Sequence, residues 1–358
     1  MLWPTFVGLL AVLPGLFIAS SLPNRVQTYQ IIQKPPIIER RAVYLTAYTA
    51  GNPVRRGELI QLVDTTELNA VVIDIKDASG KVFYDSQIPL ARQTGAIELR
   101  IPNVKEIVAE LHRHDIYAIA RMVVFQDPQL ASSVPDVALA SSGGGLWRDW
   151  KGLAWVDPTK REVWEYNLAL AKEAAALGFD EINFDYIRFP SDGDIKKIVF
   201  DNIPDGYEKY DVMREFFQYL DAELNVQPVR TSADLFGMTL WRSDGLNIGQ
   251  RIEDAAPYFD YIMPMVYPSH YPPGFEKFAN PAEHPYEIIY RSLIRYSELA
   301  KNGRARLSPW LQDFDLGAVY TPAMIGLQKQ ASYDSGGYGW ALWNARNVYT
   351  EGGLESEN

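Results

Sequence analysis

The chain has 358 residues, a net charge of −11, a pI near 5.0 and no cysteine. The acidic balance argues against a nucleic-acid partner, which selects basic faces, and the lack of cysteine excludes disulfides, thiolate catalysis and Cys-ligated metals. The only histidines are His112, His114, His270 and His284, and the first two point to different faces of one predicted helix, so neither a metal nor a cofactor is expected.

Residues 2–19 are almost wholly apolar, interrupted by Pro4 and Pro14 and without a preceding Lys or Arg. Such a run fits a signal peptide or a membrane anchor over residues 1–21, and hence an extracytoplasmic location, either secreted or tethered to the membrane. Residues 22–40, with Pro35-Pro36, read as a linker. The single folded domain is expected over 41–347, with a C-terminal tail at 348–358.

From Ala42 onward, short apolar strands alternate with amphipathic helices. Strands are predicted at 42–48, 70–75, 116–124, 181–186, 231–236, 261–267, 306–310 and 337–343. Helices are predicted at 57–66, 102–114, 158–177, 207–224, 285–300 and 322–330. Near-continuous apolar strands separated by helices predict an α/β fold, a (β/α)8 TIM barrel. A doubly wound sheet fits less well, because no glycine-rich phosphate loop follows the first strand. The chain ends soon after the eighth strand, so the closing helix is short, absent or replaced by the N-terminal spacer. Long excursions follow several strands, at 126–157, 191–206 and 268–284. The first holds Gly143-Gly144-Gly145 and then Trp147, Trp150 and Trp155, which fits either a mobile sugar-stacking lid or a loop packed down by its own aromatics.

The most informative stretch is Phe179-Asp180-Glu181-Ile182-Asn183-Phe184-Asp185-Tyr186-Ile187-Arg188-Phe189-Pro190. It reads as a buried strand delivering Asp185 and Arg188 to the C-terminal end of the barrel, where catalysis is sited in this fold. Other carboxylates recur near strand ends: Asp77, Asp234 and Asp313. Tyr44, Arg121, Tyr267, Trp310 and Trp343 accompany them. Several carboxylates with arginine and aromatic walls suit glycoside chemistry, which needs one carboxylate as nucleophile or base and another as proton donor. The structural alternatives are an Asp185–Arg188 ion pair and, for Asp313, a loop or helix-capping role.

From about Arg41 to Asn347 the chain resembles a bacterial glycoside-hydrolase-type family, domain of unknown function 4015. The resemblance rests on Val72-Ile73-Asp74-Ile75-Lys76-Asp77, on Phe179 to Pro190, on Ile262 to Tyr271, and on Tyr338-Gly339-Trp340-Ala341-Leu342-Trp343-Asn344. It implies a (β/α)8 barrel and hydrolysis of O-glycosyl bonds. The stretch from Phe179 to Asp185 is also similar to the fourth-strand motif of family-18 chitinases, and Met265-Val266-Tyr267 to their sixth-strand Met-x-Tyr. Their motif ends on a catalytic glutamate; here Ile187 stands in its place and cannot donate a proton. A fourth-strand nucleophile, as in α-amylase-like and α-galactosidase-like barrels, fits Asp185 better. Asp234, at the end of the next strand, is then the first candidate for the second carboxylate, with Asp77 and Asp313 in reserve. Arg121 and Arg188 would hold a carboxylate ionised or clamp a carboxylated sugar, while Tyr44, Tyr267, Trp310 and Trp343 would bind sugar faces. The reading is a glycoside hydrolase acting on a cell-envelope or extracellular polysaccharide. Its rivals are a non-catalytic glycan-binding TIM barrel and a metal-dependent deacetylase.

Overall fold

The computed structural model describes residues 33–200 and 202–356. The apolar run at 2–19 lies outside the described residues; among those described, no helix is long and apolar enough to cross a membrane.

Eight parallel strand positions close into a barrel. They are β1 (Arg40–Leu45), β2 (Ala70–Lys76), β3 (Tyr117–Val123), β4 (Glu181–Asp185), β5 (Arg230–Phe236), β6 (Tyr261–Met265), β7 and β8 (Gly339–Trp343). Strand β7 is split into Arg306–Leu307 and Trp310–Gln312. The break falls at Ser308-Pro309, where proline has no N–H to give a ladder. Its first half pairs with β6 and its second with β8, and Trp310 also pairs with Met265, which closes the ring together with the β1–β8 pairing. At the β1–β8 seam the two backbones touch: Gly339 has φ +86°, and a Cβ there would sit 1.9 Å from the Arg40 carbonyl oxygen. Only glycine can start β8 at that point.

Helices α1 (Pro53–Thr65), α2 (Val104–Arg113), α3 (Arg161–Ala176), α4 (Lys209–Leu224), α5 (Pro285–Leu293) and α6 (Pro322–Asp334) surround the ring. Period-two alternation decides which strand residues meet them. Ile182 and Phe184 of β4 join the large cluster shared with the helices, whereas Ala42, Tyr44, Val72, Ile119, Met263 and Trp310 form a separate cluster inside the barrel. Apolar burial on both faces of the strands is the main source of stability.

Segments before β1 and after β8 cover the two mouths of the barrel. At the N-terminal mouth, the Tyr261 hydroxyl accepts from Ile38 N (2.9 Å) and donates to Ile38 O (3.0 Å), while Arg230 Nε donates to Pro35 O at 2.7 Å. Beneath them an Arg40–Glu181 ion pair lies inside the barrel, with the Arg40 guanidinium 3.6 Å from the centre of the Tyr261 ring. Among the described residues, β8 is followed by a three-residue 3-10 helix at Glu351–Gly353. Residues 349–356 run back over the barrel: the Tyr349 hydroxyl donates to the Tyr44 carbonyl, and Glu67 N donates to Glu355 O at 2.8 Å.

Candidate active site

At the C-terminal mouth, inward positions of successive strands gather on one guanidinium. Arg121 of β3 donates from one terminal nitrogen to Asp74 of β2 and from the other to Asp185 of β4. Its Nε lies 3.9 Å from Asp234 Oδ2 on β5. The Tyr44 hydroxyl donates to the other Asp74 oxygen. Asp234 Oδ1 accepts from Asn183 Nδ2 and from Trp310 Nε1, both at 2.8 Å. Three carboxyls therefore converge on one cation, and all four side chains are buried.

The fields follow from this arrangement. Burial, and next the charge of Asp185, push the Asp234 carboxyl well above the usual carboxylate range. Burial also raises Asp74, against the pull of Arg121 and Tyr44. For Arg121, burial works against the charged form, but the carboxylates of Asp74 and Asp185 outweigh it and the guanidinium is held more firmly protonated than usual. Burial and the charges of Asp234 and Asp185 keep the Tyr267 hydroxyl protonated.

The backbone turns sharply after Asp185. Tyr186 has φ +52°, a left-handed conformation that costs energy for an aromatic residue, and its N–H donates to Asp185 Oδ1 at 2.6 Å. This turn ends β4 and sends the chain outward. A cavity of about 330 Å³ opens there, lined by Asp185, Arg188, Phe236, Met265, Tyr267 and His270 among others. Asp185 lines it; Asp234, 1% exposed, lies behind. Beside Arg121, and not among the residues that line this cavity, Tyr44 stacks on Trp343 with ring centres 3.9 Å apart, and Trp310 meets Trp343 edge-on at 5.5 Å.

Of the residues singled out in the sequence, Asp185, Asp234, Arg121, Tyr44, Tyr267, Trp310 and Trp343 come together at this mouth. Arg188 lines the cavity, but the partner of Asp185 is Arg121. Asp77 lies apart in the loop after β2, where its Oδ1 accepts from Ser79 N at 2.9 Å. Asp313 accepts from Thr350 N at 2.9 Å and from its hydroxyl at 2.7 Å, which ties down the C-terminal segment. Asp74 and Asn183 are site residues that sequence reasoning passed over. Both are polar residues flanked by apolar ones on barrel strands, and that flanking was the available signal. The tryptophan-rich excursion is packed down: Trp147 and Trp155 are buried, and only Trp150 is exposed. His112 and His114 sit beside Asp180 and Asp64, at 2.9 and 2.8 Å. Among the described residues, no group of three or more His, Asp or Glu is arranged to hold a metal.

Solved structures share this fold. A hypothetical protein from Ruminiclostridium thermocellum is 41% identical over 54% of this chain and 96% of its own, with a TM-score of 0.50. The glycoside hydrolase domain of PgaB from Bordetella bronchiseptica is 12% identical, covering 86% of this chain and 94% of that one, with a TM-score of 0.64. An α-galactosidase from Thermus thermophilus is 14% identical, covering 90% of this chain and 61% of that one, with a TM-score of 0.55. At 12% and 14% identity the likeness is one of fold. No curated protein matches the chain. The family described as "Putative glycosyl hydrolase domain" (DUF4015) matches residues 42–349, nearly the whole barrel, and the chain therefore belongs to this family of glycosyl hydrolases.

Proposed function

We propose that the chain cleaves glycosidic bonds of a polysaccharide outside the cytoplasm, with Asp185 as nucleophile or base and Asp234 as the partner carboxyl. One observation carries this reading: two carboxyls on adjacent strand ends share the Arg121 guanidinium, yet differ in environment as an acid and a base must. Asp185 faces the cavity and can approach an anomeric carbon. Asp234 is the carboxyl that keeps its proton, because burial and the Asp185 charge both disfavour its ionisation. Its Oδ1 is held by Asn183 and Trp310, so Oδ2 is the oxygen from which that proton would leave. Tyr44, Trp343 and Tyr267 offer faces and a hydroxyl to a sugar ring. The location rests on the apolar run at 2–19.

The depth of Asp234 supports a second reading, a barrel that binds glycans without cutting them. Reducing-end release from a polysaccharide panel, run beside Asp185→Asn, separates the two. Hydrolysis requires release by the wild type that falls at least ~10³-fold in the variant, as loss of a nucleophile generally does. Binding of a glycan with no release from any member of the panel would establish the binding barrel instead.

A further inference from the structure

Among the described residues, five cationic side chains are buried: Arg40, Lys76, Arg121, Arg188 and Lys329. Four have a carboxylate partner within the protein: Glu181 for Arg40, Asp127 for Lys76, Asp74 and Asp185 for Arg121, and Glu67 for Lys329. Arg188, 5% exposed, forms no salt bridge with any described residue, and the charges of Asp185 and Asp192 act on it only from beyond contact distance. A buried guanidinium without a counter-ion is unfavourable unless another group compensates it. Here aromatic faces do so in part, with the guanidinium carbon 5.0 Å from the ring centre of Trp155, 4.7 Å from Tyr186 and 4.8 Å from Phe236. One terminal nitrogen donates to the Phe189 carbonyl at 3.0 Å, and the Tyr186 hydroxyl is a further neighbour. These contacts hold the fork where Arg188 lines the cavity together with Asp185, and a guanidinium has more donors than the one bonded to Phe189.

We propose that Arg188 is the specificity-determining cation for a carboxylated sugar, so that the substrate is a uronic-acid-containing polysaccharide. The inference rests on the glycan reading above and deepens it. A planar fork matches a carboxylate in bidentate fashion. A uronic acid carries its carboxylate on the ring carbon across the ring oxygen from the anomeric centre. Arg188 and Asp185 both line one cavity of about 330 Å³, so a ring seated there would present its carboxylate and its anomeric carbon to the same space. A local cation is also what an acidic substrate needs, since the chain carries a net charge of −11 and Asp185 itself would repel it.

The test uses the full chain at pH 7 with oligogalacturonate, oligoglucuronate and oligomannuronate, each beside its carboxyl-reduced counterpart, and acetate as a bare carboxylate. Binding is read by Trp fluorescence, to which Trp155 beside Arg188 contributes, and by calorimetry. The expected result is at least one acidic oligomer bound about tenfold or more tightly than its reduced counterpart and than acetate, as loss of a charge-assisted pair predicts. Arg188→Gln should abolish the preference and Arg188→Lys should keep part of it. Equal binding of acidic and reduced forms, no binding of any acidic oligomer, acetate binding as tight as the oligomer's, or a preference that survives Arg188→Gln would each overturn the inference. If Arg188→Gln does not fold, the wild-type comparison decides alone. Cleavage of reduced oligomers as fast as acidic ones would overturn this inference and leave the hydrolase reading standing. Acid-selective binding without cleavage would do the reverse.

Discussion

The same barrel interior holds two buried ionic clusters, one at each mouth, and they are built to opposite specifications. At the N-terminal end one cation meets one anion, Arg40 with Glu181, beneath the backbone at Pro35 and Ile38. At the C-terminal end one cation meets three carboxyls, Arg121 with Asp74, Asp185 and Asp234, beside an open cavity. The first pairs its charges one to one. The second gathers more carboxyls than its one cation can compensate, and burial together with the Asp185 charge pushes Asp234 toward its protonated form. A balanced pair of this kind is architecture, and its replacement by apolar groups is often harmless. An unbalanced cluster forgoes stability for a protonation state that chemistry can use.

The comparison can be broken experimentally. Arg121→Met should have the largest effect, abolishing activity and lowering stability by ~3–5 kcal/mol at pH 7, because it leaves several carboxyls buried without their cation. Carboxyls raised in the folded state contribute stability below their unfolded value, near 4, and lose it as pH rises through the folded one. The deficit measured by urea denaturation should therefore shrink as pH falls from 7 toward 5; an unchanged deficit would show that the cluster is not the cause. Asp185→Asn should remove activity almost completely yet shift stability by no more than ~1–2 kcal/mol, since Arg121 keeps Asp74. A collapse in melting temperature would make Asp185 part of the scaffold.

Asp234→Asn sharpens the contrast through pH. Because burial and Asp185 raise the Asp234 carboxyl, its ionisation penalises the folded state as pH rises, and the amide escapes that penalty. The variant should match or exceed the wild type in stability at pH 8 and lose that advantage toward pH 4. A variant less stable than wild type at pH 8 would contradict the raised carboxyl. The smallest effect belongs to the N-terminal cluster. Arg40→Met with Glu181→Leu should change stability by under ~2 kcal/mol and leave turnover intact. A loss of turnover in that double variant would mean the two mouths are coupled.

Much of this was legible in the chain, and the failures have local causes. Asp185 was found because Ile182 and Phe184 alternate with Asn183 and Asp185, and period two assigns faces. The same logic slipped on β2. A register shift between Asp74 and Lys76 interrupts the alternation, so Asp74 points to the site while Lys76 turns away to Asp127. Asp77, the carboxylate near the end of a strand predicted at 70–75, is therefore the wrong neighbour for the site. Trp310 is at the mouth because β7 resumes after Pro309, and a strand taken to end at Trp310 leaves its direction open. That Arg121, rather than Arg188, meets Asp185 depends on the order in which strands close, a long-range fact that no single segment contains.

The seam between Arg40 and Gly339 also bears on how the chain is made. During synthesis β1 emerges first of the eight barrel strands, but the strand that covers its free edge emerges eighth. Until the other seven strands have been made, that edge, and the apolar faces around it, must wait for a partner or be shielded by a chaperone. A messenger truncated shortly before codon 339 would yield not a slightly smaller enzyme but an unclosed sheet with both rims exposed, a product for the quality-control machinery.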